Sequence, residues 1–198
     1  MTRLLLVRHA NHGLVGKALA GRSDSVGLDA VGLGQARTLA QRLSGWDIAA
    51  IYTSPQRRAQ ETAAPLARRA GLEARIEAAL DEVDFGDWSG KSFQSLAGDP
   101  HWAVWCERRG IAQPPNGERF ADVQARIVGA VDRLATVHVD ETIALVSHGD
   151  VIKAALAHVL GMSLDDLERF DVAPASVNII AASGSWRRVE LLNATGVV

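Results

Sequence analysis

Apolar residues along the chain follow two alternating patterns, one typical of strands and one typical of helices. Six short runs rich in branched apolar residues predict buried β-strands. They fall at 3–7, 48–52, 74–76, 142–146, 177–181 and 186–192, and the last two are expected to form a hairpin around Ser183-Gly184-Ser185. Longer segments separate most of these runs, so strands and helices are expected to alternate.

Helical spacing of apolar residues predicts the elements between the strands. Apolar residues between 36 and 43 repeat at that spacing, and Gly45 marks the end of the first helix. The second helix is expected to begin at Thr53-Ser54-Pro55, with the proline in its first turn, and to end near residue 69. Further helices are predicted over 102–109, 119–137 and 151–160, with a polar loop over 81–90 and a helix-breaking stretch over 113–117.

This alternation predicts an α/β fold in which helices cover both faces of a central sheet. The length of 198 residues favours a single domain over 1–198, with a lid-like elaboration around 81–118. Hydrophobic residues make up 47% of the chain and charged residues 22%, which is ordinary for a globular protein. The composition therefore excludes an intrinsically disordered chain.

The charge balance and the single cysteine narrow the range of partners and compartments. A formal net charge of -2 gives no support for nucleic-acid or membrane binding. No apolar stretch approaches the roughly 20 residues that span a bilayer, and the first residues lack a secretory signal. Cys106, being alone, excludes an intrachain disulfide framework and a cysteine-rich zinc site. We therefore expect a soluble cytoplasmic protein, whose oligomeric state the sequence does not define.

Polar, nitrogen-rich residues follow three of the predicted strands. Arg8 and His9 come after the first strand, Arg58 lies one turn into the helix after the second, and Ser147-His148 follows the strand at 142–146. In open α/β sheets ligands bind beyond the carboxyl ends of the strands. These side chains are therefore expected to meet in one crevice.

Two histidines and two arginines around one crevice suit a phosphate dianion. Arginine offers paired donors that match phosphate oxygens, and a helix start adds backbone donors. Nearby arginines should lower the pKa of a histidine and keep its imidazole neutral and nucleophilic. A leaving alkoxide also needs a proton, for which Glu82 in the Asp81-Glu82 pair is the best-placed donor; Asp81 and Asp84 are the local alternatives.

Five ordered motifs extend these residues across most of the chain. They are Leu6-Val7-Arg8-His9; Leu28 with Gly32-Leu33-Gly34-Gln35-Ala36; Thr53-Ser54-Pro55-Gln56-Arg57-Arg58-Ala59-Gln60-Glu61-Thr62-Ala63; Glu82-Val83-Asp84-Phe85-Gly86-Asp87-Trp88-Ser89-Gly90 followed by Gly117-Glu118; and Val146-Ser147-His148-Gly149. In this order they resemble the histidine phosphatase, or phosphoglycerate mutase-like, superfamily, and the compact chain resembles its phosphatase branch. The resemblance implies a three-layer sandwich with a mostly parallel central sheet.

The resemblance also implies a role for each matching residue. His9 would be the phosphorylated nucleophile, while Arg8, Arg58 and His148 would hold the transferring phosphoryl group. Glu82 would protonate the leaving oxygen and then help to activate water. No metal and no other cofactor is implied, and the expected partner is a small phosphorylated substrate.

The chain departs from the family pattern directly after the nucleophile. Ala10, Asn11 and His12 stand where the family usually has glycine, an acid or amide, and a hydroxyl residue. Asn11 can still donate to a phosphate oxygen, whereas His12 either lines the pocket or fills the entrance loop. The predicted substrate-binding set is Asn11, His12, Gly21, Arg22 and Gly149, with a solvated loop as the alternative for Arg22.

Several activities share these motifs. The leading hypothesis is a phosphatase for small phosphomonoesters such as sugar phosphates, α-ribazole phosphate or nucleotide monophosphates. The alternatives are a phosphoglycerate mutase primed by a bisphosphate, a phosphohistidine phosphatase that acts on proteins, and a catalytically silent phosphoester-binding module. The absence of a signal peptide and of disulfides disfavours an exported acid phosphatase.

Overall fold

The computed structural model describes residues 1–196 and 198. Its strands are β1 Thr2–Arg8, β2 Ile48–Thr53, β3 Ala74–Ile76, β4 Thr142–Ser147, β5 Val177–Ser183 and β6 Trp186–Ala194. Its helices are α1 Ala30–Arg42, α2 Arg57–Ala70, α3 Phe93–Leu96, α4 Pro100–Glu107, α5 Phe120–Val137 and α6 Gly149–Leu160, with 3-10 turns at Ala78–Leu80, Gly86–Trp88 and Leu164–Arg169. Every predicted strand and helix is present, with ends shifted by a few residues. The sequence pattern missed α3 and the turn at Leu164–Arg169, because each is too short to show a clear period.

The six strands form one sheet in the order β3-β2-β4-β1-β5-β6. β1, β2, β3 and β4 pair in parallel, β5 pairs antiparallel with β1, and β6 pairs antiparallel with β5. Among the described strands, therefore, β5 alone runs against the others. This confirms the mostly parallel sheet and the terminal hairpin.

Side chains of β1 alternate between two hydrophobic cores. Leu4 and Leu6 pack in the core that includes residues of α5 and α6, whereas Leu5 and Val7 pack in the core that includes residues of α1 and α2. All four side chains are fully buried, as expected for strands that helices cover on both faces. The fold is therefore the predicted three-layer sandwich.

The ends of α1 and α2 are defined locally. The Asp29 carboxylate accepts a hydrogen bond from the Gly32 backbone N–H at 2.8 Å and caps α1, and Gly71 ends α2 in the left-handed conformation at φ 68°. Pro55 does not lie in the first turn of α2 as predicted, because Gln56 is the N-cap. The Ser54 hydroxyl accepts from the Gln56 N–H at 3.2 Å, and this turn delays the start of the helix.

None of the helices in the described part of the chain combines the length and apolar character needed to cross a membrane.

The carboxyl ends of β1, β2 and β4 lie side by side at one edge of the sheet. Arg8 is paired with Ser147, and Thr53 with Val146. The residues that follow these strands therefore face one crevice, as the sequence predicted.

The segment over 81–118, predicted to be lid-like, is anchored by tryptophans. Trp88 and Trp105 are each 1% exposed, and their rings meet edge to face with centroids 5.9 Å apart. Trp105 also meets Phe120 of α5 edge to face. These contacts join the segment to the main core, and opening as a lid stays a prediction.

Candidate active site

His9 follows β1 directly and is 2% exposed. Its backbone N–H donates to the Ser147 carbonyl at 2.8 Å, so the end of β4 fixes its position. Its Nδ1 lies 2.8 Å from the Ala10 carbonyl oxygen. Because a carbonyl oxygen only accepts, Nδ1 carries the proton and Nε2 is the nitrogen available as a nucleophile.

The surroundings keep this imidazole neutral. Burial is the largest influence, followed by the neighbouring His148, Arg58 and Arg8, and together they lower the pKa of His9 well below its usual 6.5. The lone pair on Nε2 is therefore available throughout the neutral pH range.

Two guanidinium groups, one buried and one half-buried, lie near His9. Arg58 is fully buried, and its Nη2 donates to the Gly21 carbonyl at 2.7 Å. Arg8 donates from Nη1 to the Val172 carbonyl at 2.6 Å. The remaining buried donors, Nε of Arg8 and both Nε and Nη1 of Arg58, have no hydrogen-bond partner among the described residues. Such buried charged donors are costly unless an anion pairs with them, so they indicate an anion-binding site.

His148 caps the crevice from the end of β4 and is fully buried. Its Nε2 lies 2.7 Å from the Ser54 hydroxyl oxygen, and its Nδ1 lies 3.3 Å from Nη2 of Arg58 and from a carboxylate oxygen of Glu82. Burial first, and then Arg58, lowers the pKa of His148 well below 6.5. The Ser54 hydroxyl donates its one proton to Oδ1 of Asp81 at 3.3 Å, so it accepts from Nε2–H of His148. Nδ1 of His148 then accepts from Nη2 of Arg58.

Glu82 is the acidic residue that reaches the anion-binding groups. Its Oε2 lies 3.3 Å from Nδ1 of His148 and 3.6 Å from Nη2 of Arg58. Asp81 instead accepts from Gln56 Nε2 at 2.8 Å and from the Glu82 backbone N–H. Asp84 accepts from the Gly86 backbone N–H. The geometry therefore favours Glu82 over both alternatives as the proton donor.

Arg22, predicted to bind substrate, instead contacts the segment that carries Glu82. Its Nε donates to the Glu82 carbonyl at 2.9 Å and its Nη2 to the Glu118 carboxylate at 2.9 Å. Arg126 donates to the same carbonyl at 3.1 Å and to the same carboxylate. Because a guanidinium has several donors in one plane, the two arginines and Glu118 together hold the backbone of Glu82 in place.

Asn11 and Gly21, also predicted to bind substrate, do not line the cavity beside His9. The Asn11 amide donates to Asp29 at 2.7 Å and braces the start of α1. A Cβ at Gly32 would lie 2.0 Å from the Asn11 carbonyl oxygen, so this approach requires glycine. Gly21 contributes its carbonyl oxygen to Arg58. Both residues support the site from behind it.

His12 lines the cavity and is 5% exposed. Its ring centroid lies 5.1 Å from that of His9, and its Nδ1 accepts from the Leu14 backbone N–H at 3.3 Å. Nε2 therefore carries the proton and is a donor. Burial first, then Arg58 and Arg8, lowers the pKa of His12 to about 4, so the ring is a neutral donor at pH 7.

The cavity above these groups has a volume of about 210 Å³. Its polar lining comprises Arg8, His9, His12, Glu82, Asp150, Lys153 and Asp171, and its apolar lining includes Val15, Phe85, Phe93 and Val172. Gly149, predicted to bind substrate, also lines it, and a Cβ there would lie 3.2 Å from Nε of Arg8. The structure thus brings His9, Arg8, Arg58, His148 and Glu82 together, with His12 and Gly149 beside them.

Three residues near the site were not predicted from the sequence: Lys153, Asp150 and Arg126. Lys153 lies four residues after Gly149, and residues at that spacing share one face of a helix. Lys153 could therefore have been predicted from its position one helical turn after Gly149. Nothing in the sequence connects Arg126 with Glu82, because they lie on separate elements.

His9, Glu82 and His148 place one ligand atom each within 4.8 Å of one another, a grouping that can hold a metal ion. However, Nη2 of Arg58 lies 3.3 Å from Nδ1 of His148 and 3.6 Å from Glu82. A guanidinium so close repels a cation and attracts an anion. The same atoms therefore fit a phosphoryl group better than a metal ion.

A neutral histidine near two arginines, at the carboxyl edge of a three-layer α/β sandwich, is the kind of site that suits a phosphoryl group. Residues 4–195 match the sequence model of the histidine phosphatase superfamily (branch 1). The chain belongs to this superfamily.

Similar proteins agree with this assignment. The structure of Bacillus stearothermophilus YhfR has a TM-score of 0.92 and 32% identity, covering 98% of this chain and 97% of that one. The structure of the mycobacterial glucosyl-3-phosphoglycerate phosphatase Rv2419c has a TM-score of 0.86 and 29% identity, covering 97% of this chain and 98% of that one. The bifunctional protein Rv2228c of Mycobacterium tuberculosis is 35% identical over 98% of this chain but only 54% of its own length, so the chain spans about half of that relative. The superfamily therefore includes at least one phosphatase that is similar to this chain over nearly its whole length.

Proposed function

We propose that this protein hydrolyses small phosphomonoesters through a phosphohistidine intermediate on His9, with Glu82 as the proton donor and without a metal ion. The observation that carries the proposal is a set of three buried guanidinium nitrogens, one on Arg8 and two on Arg58, that have no hydrogen-bond partner among the described residues and lie next to a neutral imidazole. These donors match the nonbridging oxygens of a phosphoryl group. His12 Nε2–H supplies a further donor.

In the first step, Nε2 of His9 forms a bond to phosphorus while the bond from phosphorus to the alcohol oxygen breaks. The proton on Glu82 passes to that oxygen, and the alcohol leaves. Nδ1–H stays bonded to the Ala10 carbonyl, which stabilises the positive charge that the ring gains. The arginines stabilise the charge on the transferring group.

In the second step, the Glu82 carboxylate takes a proton from water while the water oxygen bonds to phosphorus. The phosphorus–nitrogen bond breaks, so orthophosphate and neutral His9 are released. Arg22, Glu118 and Arg126 hold Glu82 in place for both proton transfers.

The size of the site supports a small substrate. A cavity of about 210 Å³ lies below the range typical of drug-sized ligands. The proposed substrate is therefore a small phosphorylated molecule. We also propose a cytoplasmic location, because a chain with a single cysteine does not depend on disulfides.

The experiment is hydrolysis of p-nitrophenyl phosphate in EDTA, comparing wild type with His9→Ala. We expect activity that survives chelation and is lost in the variant, together with labelled phosphate trapped on wild type only. Loss of activity in EDTA that returns with a divalent metal would contradict the metal-free mechanism. Trapping without hydrolysis, together with interconversion of phosphoglycerates primed by 2,3-bisphosphoglycerate, would assign a mutase. If wild type neither traps labelled phosphate nor turns over substrate, the protein is a phosphoester-binding module without catalysis.

A further inference from the structure

A second cation lines the cavity that contains His9. Lys153 lies on α6, one turn after Gly149, and is 8% exposed. Residues four apart on a helix have Cβ atoms about 5–6 Å apart, so the base of Lys153 lies a short distance along the wall from the phosphoryl-binding end. Lysine is rarely this buried without a partner or a function.

The ammonium group of Lys153 is incompletely paired. Its Nζ lies 3.6 Å from Oε2 of Glu168, longer than a hydrogen bond, and the Glu168 side chain is 69% exposed. The Glu168 end of this ion pair therefore lies largely in solvent, which weakens its attraction for the buried ammonium group. Nζ also lies 5.9 Å from the centroid of the Phe170 ring. An anion in the cavity can therefore compete for this ammonium group.

The other charged residues of this wall have different roles. Asp150 is paired with Arg109 at 3.2 Å, and that guanidinium lies over the Trp105 ring. Asp171 is exposed, and its charge acts on the Arg8 guanidinium. Among the described residues that line the cavity, Lys153 is thus the cation left for the alcohol portion of a substrate.

We propose that Lys153 binds a carboxylate on the alcohol portion of the substrate, so that the enzyme prefers small phosphomonoesters of hydroxy acids. This inference rests on the proposed function, because it places the phosphoryl group at His9. One ammonium group balances one carboxylate. A second phosphate would leave excess negative charge beside Asp150, Asp171 and Glu168, so the carboxylate is favoured. The apolar walls at Phe85 and Phe93 offer no donors to a polyol.

The test uses substrate pairs that differ at the carboxylate. O-phosphoserine is compared with O-phosphoethanolamine, and 3-phosphoglycerate with glycerol 3-phosphate. In wild type we expect kcat/KM to be about tenfold or more higher for the acidic member of each pair, as for a charged hydrogen bond. Lys153→Met should bring both ratios close to one, chiefly through KM, and Lys153→Arg should retain most of the preference.

Lys91→Met provides the matched control, because Lys91 is exposed and does not line the cavity. Its ratios should equal those of wild type. Equal efficiency within both pairs in wild type, or ratios that persist in Lys153→Met, would overturn the inference. A melting temperature near that of wild type shows that Lys153→Met is folded.

Binding to His9→Ala separates this inference from the proposed function. This variant lacks the nucleophile, so calorimetry with O-phosphoserine and O-phosphoethanolamine reports the alcohol-binding preference without turnover. Tighter binding of O-phosphoserine that depends on Lys153 supports the inference even if wild type hydrolyses no phosphoester. If His9→Ala binds both ligands equally while wild type hydrolyses phosphoesters, the inference is overturned and the phosphatase proposal stands.

Discussion

Arg22 donates from Nε to the backbone carbonyl of Glu82 at 2.9 Å, so a residue expected to bind substrate instead holds the proposed acid in place. Arg22→Met should therefore weaken proton donation more than phosphate binding. We expect kcat for alkyl phosphates to fall about tenfold with little change in KM, in keeping with the cost of losing a charged hydrogen bond. Arg37→Met, on an exposed position of α1, is the control. A rise in KM with an unchanged kcat would show that Arg22 contacts substrate after all.

Glu82→Gln should separate leaving groups by their need for a proton. Glutamine keeps the shape of the side chain but has no acidic proton to give. The rate for an alkyl phosphate should fall by roughly 100-fold or more, whereas p-nitrophenyl phosphate, whose leaving group is already stable, should slow far less. A linear free-energy plot of log kcat/KM against leaving-group pKa measures this. Equal slowing of both substrates would indicate a positional role for Glu82.

Arg58→Met should abolish anion binding without unfolding the protein. The change removes two buried donors that have no partner among the described residues, together with the Nη2 hydrogen bond to the Gly21 carbonyl, so the free energy of unfolding should fall by only about 1–3 kcal/mol. In contrast, kcat/KM should fall roughly 100-fold to 1000-fold, as for other lost donors to transition-state charge. Arg57→Met is the matched control, because Arg57 is the next residue and its side chain is 60% exposed. Inorganic phosphate should raise the melting temperature of wild type and of Arg57→Met, but not that of Arg58→Met. An Arg58→Met enzyme as active as wild type would refute the anion site.

Acid should destabilise the fold through its buried histidines. The pKa values of His9, His12 and His148 lie below 6.5 in the folded state, so the unfolded chain binds more protons as pH falls. Stability is therefore full above about pH 6.5 and is lost progressively toward pH 4, the folded value for His12. We expect the melting temperature to drop by roughly 5–10 °C across this window. His12→Gln should flatten the pH profile, and an identical slope in that variant would contradict the lowered pKa of His12.

The sequence predicted the fold because its signals are local. The branched run before Arg8 and the one before Ser147 are continuous apolar stretches, as expected for strands buried on both faces. The polar residues after them could be assigned to one sheet edge, because parallel strands align their carboxyl ends. The proximity of His9, Arg58 and His148 was predicted in this way. Pro55 was placed wrongly, because the Ser54 side chain, not the proline, determines where α2 begins.

The sequence by itself determined the order of the elements, the layers and which strand ends carry the nitrogen-rich residues. Only the tertiary structure decided that Arg22 contacts the Glu82 carbonyl, that Asn11 contacts Asp29, and that Lys153 lines the cavity. The physical reason is that hydrophobic period depends on near neighbours, whereas the partner of a polar side chain depends on groups far away in the chain. Arg22 meets the Glu82 carbonyl across 60 residues and Glu118 across 96. No local pattern encodes those contacts.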